Sequence, residues 1–320
     1  MNSLATPVYE NPAQETKGLF ARARNSFWLA PMAGITDVCF RKLMDEMNAG
    51  VLISELVSAK GLFYNSEKTK KMMRVHEGCK SITGIQLFGE SAEDIVRASE
   101  LVESTGADFI DINLGCPVKK VVKKGCGAAL LRDPAHLEKY LSIIKKGIRL
   151  PLTVKMRTGW NEEELTIHEC VKAAYNSGCE WVAIHGRTRA QGYDGKANWD
   201  LMAQVKERAK LPIIGNGDIR SADQAKKRLQ ESNVDAVMIG RGALRNPGIF
   251  NECIGVNNDN SCLNIIRYYR ESLDEYYDAR FSLILLRKFS AWLAFGNSGA
   301  AKFRKNMFEC VSTAEVMERV

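Results

Sequence analysis

Cys116 stands at the end of a short alternating stretch, Asp111-Ile112-Asn113-Leu114-Gly115-Cys116-Pro117. Lys119, Lys120, Lys123 and Lys124 follow it, and Gly125-Cys126-Gly127 then opens the next helical segment. A thiol with four ammonium groups behind it is a chemical group set beside an anionic polymer. A lysine run alone also reads as a solvated loop, so its meaning depends on what else converges on Cys116. Gly115 permits close approach of a ligand, and Pro117 biases Cys116 toward an extended backbone. Cys126 reads as a small packing residue, and the other seven cysteines fall mostly in helix-like or C-terminal segments.

The elements that must position this thiol are repetitive. Eight apolar segments, 27–30, 51–55, 84–88, 109–114, 152–157, 181–185, 212–215 and 236–239, each end in a polar or glycine turn and lead into an amphipathic stretch. Helix starts are marked by the capping boxes Ser91-Ala92-Glu93-Asp94 and Ser221-Ala222-Asp223-Gln224, and by Asn161 ahead of Glu162, Glu163 and Glu164. Gly106 and Gly178 sit where helices stop before the fourth and sixth strands. An open doubly wound sheet gives similar local signals, but the count over 27–254 predicts an α/β fold of the (β/α)8 TIM-barrel type.

The alternation ends after Phe250. Asn257-Asn258-Asp259-Asn260-Ser261 reads as a loop, 263–278 and 281–295 as helices, Gly296-Asn297-Ser298-Gly299 as a break, and the stretch from Ala300 as a last basic helix. A small all-α domain is therefore expected over 255–320. Residues 1–26, which lack a sustained period, are expected to be a flexible N-terminal extension.

In a barrel strand, alternate side chains face the helices and the interior. That parity groups Lys155 with Arg157, Ala183 with His185, Gly84 with Gln86, and Asp111 with Asn113 as inward sets near the strand ends where barrel sites lie. Burying Lys155, Arg157 and His185 without a ligand would cost several kcal/mol, so a polar or anionic ligand is expected in the mouth. Gly215-Asn216-Gly217-Asp218 and Gly240-Arg241-Gly242 follow strands seven and eight, where barrels commonly bind phosphate.

Composition sets the outer bounds. The chain of 320 residues carries a formal charge of +7, compatible with a nucleic-acid partner without requiring one. Nine cysteines without paired CxxC spacing predict free thiols in a reducing cytoplasm, with neither a disulfide scaffold nor a metal site. No segment is apolar enough to span a membrane, the best, 289–295, being far too short. A monomer is assumed.

Seven motifs occur in unbroken order: Ala30-Pro31-Met32-Ala33-Gly34, Ile85-Gln86-Leu87-Phe88-Gly89, Asn113-Leu114-Gly115-Cys116-Pro117, Val154-Lys155-Met156-Arg157-Thr158-Gly159, Ile184-His185-Gly186-Arg187-Thr188, Gly215-Asn216-Gly217-Asp218-Ile219 and Ile239-Gly240-Arg241-Gly242. From residue 27 onward the chain resembles the tRNA-dihydrouridine synthases, most closely the bacterial B type. The resemblance implies an FMN-binding barrel, a helical tRNA-binding domain and NADPH as reductant. It also implies that Pro31, Met32 and Ala33 border the flavin ring, that Gln86 bonds its pyrimidine edge, and that Lys155 supports the N1/O2 side. His185 would lie against the flavin, Asn216, Gly217, Asp218, Gly240 and Arg241 would hold the ribityl chain and phosphate, and Asn113 would sit between flavin and uracil.

Reducing the C5–C6 bond of uracil needs a hydride at C6 and a proton at C5. A cysteine with the ordinary pKa of about 8.5 is mostly thiol at neutral pH, so Cys116 is expected to be the proton donor. Arg157 is expected to bind substrate. Lys119, Lys120, Lys123 and Lys124 are expected to guide tRNA, with Arg287 and Lys288 gripping it from a basic span that also holds Arg280, Lys302, Arg304 and Lys305. The target base would flip into the mouth. The alternative is an FMN oxidoreductase acting on a free pyrimidine, similar to the dihydroorotate dehydrogenases, which leaves these basic segments without a role. A non-catalytic RNA-binding barrel would leave Cys116 and Lys155 without one.

Overall fold

A computed structural model of the protein describes residues 18–64, 67–257 and 261–320. Residues 1–17 of the expected extension and 258–260 of the Asn-rich loop lie outside the described residues. Eight strands form one parallel sheet: β1 Phe27–Leu29, β2 Val51–Ser58, β3 Ile82–Phe88, β4 Phe109–Leu114, β5 Leu152–Arg157, β6 Val182–His185, β7 Ile213–Asn216 and β8 Ala236–Ile239. Consecutive strands pair from β2 to β8, and β8 pairs with β1. The Gly50 N–H donates to the Phe27 carbonyl at 2.7 Å, drawing the first two strands together at the remaining seam. This is the expected TIM barrel.

Among the described residues, fifteen α-helices follow the strands or extend beyond them. The first five are α1 Val38–Glu46, α2 Ala59–Phe63, α3 Glu67–Met72, α4 Ala92–Glu103 and α5 Lys119–Val122. Next come α6 Pro134–Gly147, α7 Ile167–Asn176, α8 Trp199–Arg208, α9 Ala222–Ser232 and α10 Arg241–Arg245. The last five are α11 Ile249–Ile254, α12 Cys262–Tyr276, α13 Ala279–Leu293, α14 Ala300–Glu309 and α15 Thr313–Arg319. Ser91 and Ser221 cap α4 and α9 by accepting the N–H of Asp94 and Gln224. Asn161 does not start a helix: its side chain accepts the Glu164 N–H at 2.7 Å in an isolated turn, and α7 begins at Ile167. The helix waits for the first residue of the apolar face, because a cap alone does not offset backbone ordering.

Strand parity divides two apolar layers. Ile85, Leu87, Ile110, Ile112, Leu114, Val154, Met156, Val182 and Ile184 meet the helices in one large core. Trp28, Val51, Ile53, Phe109, Trp181, Ala183, Ile214 and Ala236 fill the lower interior. There Trp181 stacks at 4.9 Å against both Trp28 and Phe109. Leu19 joins this plug from a 3-10 helix at Leu19–Arg22, and Phe20 and Ala23 pack beside it. Residues 18–26 therefore belong to the barrel instead of a loose extension, because they cover apolar surface that the strands' N-terminal ends would expose to water.

The C-terminal helices form a layer on α1. Tyr269 and Phe289 stack at 4.4 Å, Phe40 of α1 meets Phe289 at 5.9 Å, and the Cys39 thiol donates to the Ser272 carbonyl at 3.2 Å. The buried residues of α12 and α13 belong to the same core as the barrel's outer face. The expected all-α region at 255–320 is thus a distinct layer with a shared core.

Gly84 shows how tightly the interior is filled. A Cβ built there would lie 2.1 Å from the Phe109 ring, which Trp181 holds from the other side. Gly84→Ala should destabilise the fold by about 1–3 kcal/mol in urea titration, and adding Phe109→Leu should recover part of that loss.

Candidate active site

Above the apolar plug, the inward side chains turn polar. The Asp111 carboxylate is fully buried and accepts from Gln86 Nε2 at 2.7 Å and from the Thr153 hydroxyl at 2.6 Å. Burial pushes its pKa up to about 6, while the two donors and Lys155 pull the other way. Gln86 is aimed by a bulge in β2, where the Ser54 hydroxyl accepts the Gln86 N–H at 3.0 Å. Its Oε1 accepts from Asn113 Nδ2 at 2.8 Å, and Asn113 Oδ1 in turn accepts the Cys116 N–H at 2.8 Å. An unbroken chain of hydrogen bonds therefore runs from β5 through Asp111, Gln86 and Asn113 to the backbone of the thiol.

Cys116 is half-buried on the loop after β4. The turn behind it holds Gly127 at φ +61°, where an added Cβ would lie 3.0 Å from the Cys116 carbonyl oxygen. Ala128 donates its N–H to that same oxygen at 3.3 Å. Cys126 is buried, and desolvation pushes its thiol up to about 11, as suits a packing residue. From the opposite side, Arg157 Nε donates to the Gly115 carbonyl at 2.9 Å. Arg157 Nη1 donates to the Thr188 and Gly192 carbonyls, each at 2.8 Å. Arg157 was expected to grip substrate. Its buried guanidinium ties the thiol loop to the loop after β6, its fork of donors meeting carbonyls from both.

Lys155 points into the mouth as parity requires and donates to Asn216 Oδ1 at 3.0 Å. Burial, with repulsion from Arg157, lowers its pKa to about 8, against the pull of Asp111. His185 beside it is driven down to about 2 by burial and then by Lys155, Arg157, Arg187 and Arg241. Its imidazole is neutral, and since the Arg187 guanidinium 3.4 Å from Nε2 can only donate, the proton sits on Nδ1.

Asn216 Nδ2 donates to the Met238 carbonyl at 2.7 Å, and Gly217 lies against the His185 ring at φ +140°. Asp218 is expected on the ribityl chain and phosphate. It pairs with buried Arg187 at 2.8 Å, accepts the Ala197 N–H at 2.8 Å, and lies 3.6 Å from Arg241. Although burial raises the Asp218 carboxyl, Ala197 and Arg187 hold it below the usual range. The carboxylate thereby positions the Arg187 guanidinium and lies beside that of Arg241.

Pro31, Met32 and Ala33 form the lip after β1, where Gly34 N–H donates to Glu55 Oε2 at 2.6 Å and its carbonyl accepts from Lys288 of α13. Lys288 thus reaches the mouth itself, while Arg287 is half-buried on the same helix. Lys119, Lys120, Lys123 and Lys124 are all exposed on and just after α5, with Lys124 paired to Glu90 at 3.3 Å. Sequence reasoning gave no role to Arg187 or to Tyr193, whose exposed ring lies 6.2 Å from His185 and 4.8 Å from the Arg241 guanidinium. The signal for Tyr193 was an aromatic in the loop after a strand carrying an inward histidine. A cleft of about 260 Å³ between α7 and α8 contains none of these inward residues.

Together these features define a (β/α)8-barrel protein with a cationic, hydrogen-bonded mouth and a thiol on the loop after its fourth strand. The chain belongs to the dihydrouridine synthase family, whose model matches residues 28–320. It is 36% identical to tRNA-dihydrouridine synthase B of Pasteurella multocida over 291 residues, 88% of this chain and 87% of that one. It is 35% identical to tRNA-dihydrouridine synthase B of Vibrio parahaemolyticus over 300 residues, 91% and 92% of the two chains. Similar solved folds include the old yellow enzyme homologue of Zymomonas mobilis, with a TM-score of 0.51 at 14% identity over 77% of this chain and 92% of that one. Histamine dehydrogenase of Rhizobium sp. 4-9 has a TM-score of 0.56 at 14% identity, over 78% of this chain and 49% of that one.

The neutral state of His185 makes stability pH-dependent. Its contribution is fully present above the unfolded value of 6.5 and is lost as pH falls from there toward 2, because the unfolded chain takes up a proton that the folded site refuses. His185→Gln should flatten the acid-side decline in unfolding free energy by about 1 kcal/mol per pH unit below that value, read from denaturant titrations.

Proposed function

We propose that the protein reduces a uridine of tRNA to 5,6-dihydrouridine in the cytoplasm, using bound FMN that NADPH reduces between turnovers. The observation that carries this reading is the thiol loop of Cys116, held by Asn113 and Arg157 at the rim of a mouth floored by Lys155 and His185. The names of the related synthases support the same chemistry.

The residues present fit a flavin phosphate. Lys155 is a half-buried ammonium whose partner among the described residues is one amide oxygen, so it retains donors for an anionic ring edge. Ala30, Met32 and Gly240 make a wall of low relief, an added Cβ at Gly240 lying 3.5 Å from both the Ala30 Cβ and the Met32 sulfur. Arg241 is half exposed beside the β7 and β8 turns, where a phosphate would bring the charge that the cationic cluster lacks. When bound, FMN supplies the hydride that C6 of uracil accepts.

The chain's own groups then have distinct tasks. Pro31, Met32 and Ala33 border the ring, Gln86 addresses its pyrimidine edge, and Lys155 holds positive charge where negative charge develops. His185 offers a neutral N–H to the ring, and Asn216, Gly217, Gly240 and Arg241 hold the ribityl phosphate, with Asp218 fixing Arg241. Asn113 orients the uracil while keeping the Cys116 backbone in place. The Cys116 thiol gives its proton to C5 and is left as a thiolate that recovers a proton from solvent. The exposed lysines of α5 favour a polyanion over a free pyrimidine, and Arg287 and Lys288 extend the basic surface onto the helical layer.

Cys116→Ala should retain the flavin absorption bands and lower the rate of dihydrouridine formation at least about 100-fold, the contribution typical of general acid catalysis. Mass spectrometry of treated tRNA checks this, and a variant of undiminished rate removes the thiol from the mechanism. Replacing Lys119, Lys120 and Lys123 together with alanine should weaken tRNA binding. It should also reduce the slope of log affinity against log salt by about 2, measured in a KCl titration.

A further inference from the structure

The sequence reading expects no metal site, yet Asp45, His76 and Cys79 bring a carboxylate oxygen, an imidazole nitrogen and a thiol sulfur within 4.8 Å of one another. The cluster lies near the N-terminal ends of β2 and β3, away from the mouth that holds Cys116. Asp45 ends α1, and His76 and Cys79 belong to the connection leading into β3. Asp45 and His76 are buried, and Cys79 is half-buried at the open side.

We propose that these three residues form a binding site for zinc or a similar borderline divalent cation. Two ligands about 2.0–2.2 Å from one tetrahedral ion stand about 3.3 Å apart. Asp45 Oδ2 and His76 Nε2 are separated by 3.2 Å. The Cys79 sulfur lies within 4.8 Å of both atoms, so bringing it onto the same ion takes a shift of at most about 1 Å, which its half-exposed position allows. Thiolate, imidazole and carboxylate together select zinc over magnesium or calcium, which prefer oxygen donors alone.

The surrounding groups hold the donors in this arrangement. Asp45 Oδ2 accepts the Lys80 N–H at 2.9 Å and Asp45 Oδ1 accepts the Ser81 N–H at 3.0 Å, which fixes the carboxylate plane. The Thr83 hydroxyl lies 3.3 Å from the Cys79 sulfur. Such outer contacts orient metal ligands in known sites. Binding displaces the Cys79 proton and the proton shared between His76 and Asp45 to the buffer, and leaves one coordination position for water. The ion would tie the end of α1 to the entry of β3, a structural role independent of the proposed flavin chemistry.

The test is equilibrium dialysis of the full-length protein, stripped with EDTA, against micromolar zinc, with bound metal counted by elemental analysis. One zinc per chain is expected. Cys79→Ser and His76→Gln should each weaken binding at least tenfold, and Cys262→Ser, which removes an exposed thiol elsewhere, should leave it unchanged. Zinc should also raise the melting temperature of the wild type and not that of Cys79→Ser. The metal-free melting temperatures establish that the variants fold, and the near-isosteric Cys79→Ser decides the matter if His76→Gln does not. Absence of bound zinc in the wild type, or wild-type affinity in folded Cys79→Ser, overturns the proposal.

Discussion

The Asp111 carboxylate is the constraint on which the mouth depends. It lies fully buried between β3 and β5, where an ionised carboxylate without partners would cost several kcal/mol. Gln86 and Thr153 are therefore committed to it, one from each neighbouring strand. Once Gln86 Nε2 is committed, its oxygen is directed at Asn113, and the Asn113 oxygen at the Cys116 N–H. A single desolvated charge thus sets the rotamers of two amides and the height of the thiol loop, none of which strand pairing alone would define.

The other half of the mouth has the opposite sign. Lys155, Arg157, Arg187 and Arg241 surround His185, whose imidazole is kept neutral first by burial and then by these cations. Two of these cations are satisfied internally, Arg157 by three backbone carbonyls and Arg187 by Asp218 and the loop after β6. Lys155 and Arg241 remain as the pair with charge to offer. Their separation by strand, β5 for one and the end of β8 for the other, suits a ligand with negative character at two points. That distribution, more than the net charge of the chain, argues for a phosphorylated cofactor under the proposed reaction.

Strand positions and inward parity were legible in the sequence because both follow from a period of two in apolar residues bounded by turns. The placement of Lys155, His185, Gln86 and Asn113 in one interior follows from that alone. The internal bonds of Arg157 and Asp218 were not legible, because both depend on loops: the carbonyls that Arg157 serves are 31, 35 and 42 residues away, and Asp218 finds Arg187 at a distance of 31. The N-terminal plug escaped for a related reason. Leu19 and Phe20 are two apolar residues in a polar stretch, and their value comes only from the open end of a barrel that the chain has not yet formed. The Asp45, His76 and Cys79 cluster is likewise invisible as a motif, since 31 residues separate its first two members.

The helical layer bears on the mouth through Lys288. Lys288 of α13 donates to the Gly34 carbonyl, and Glu55 at the β2 bulge accepts the Gly34 N–H. The lip that carries Pro31, Met32 and Ala33 is consequently clamped between the barrel and the C-terminal helices. The same bulge aims Gln86 through Ser54, so the position of α13 and the hydrogen-bond chain that ends at Cys116 meet at adjacent residues of β2.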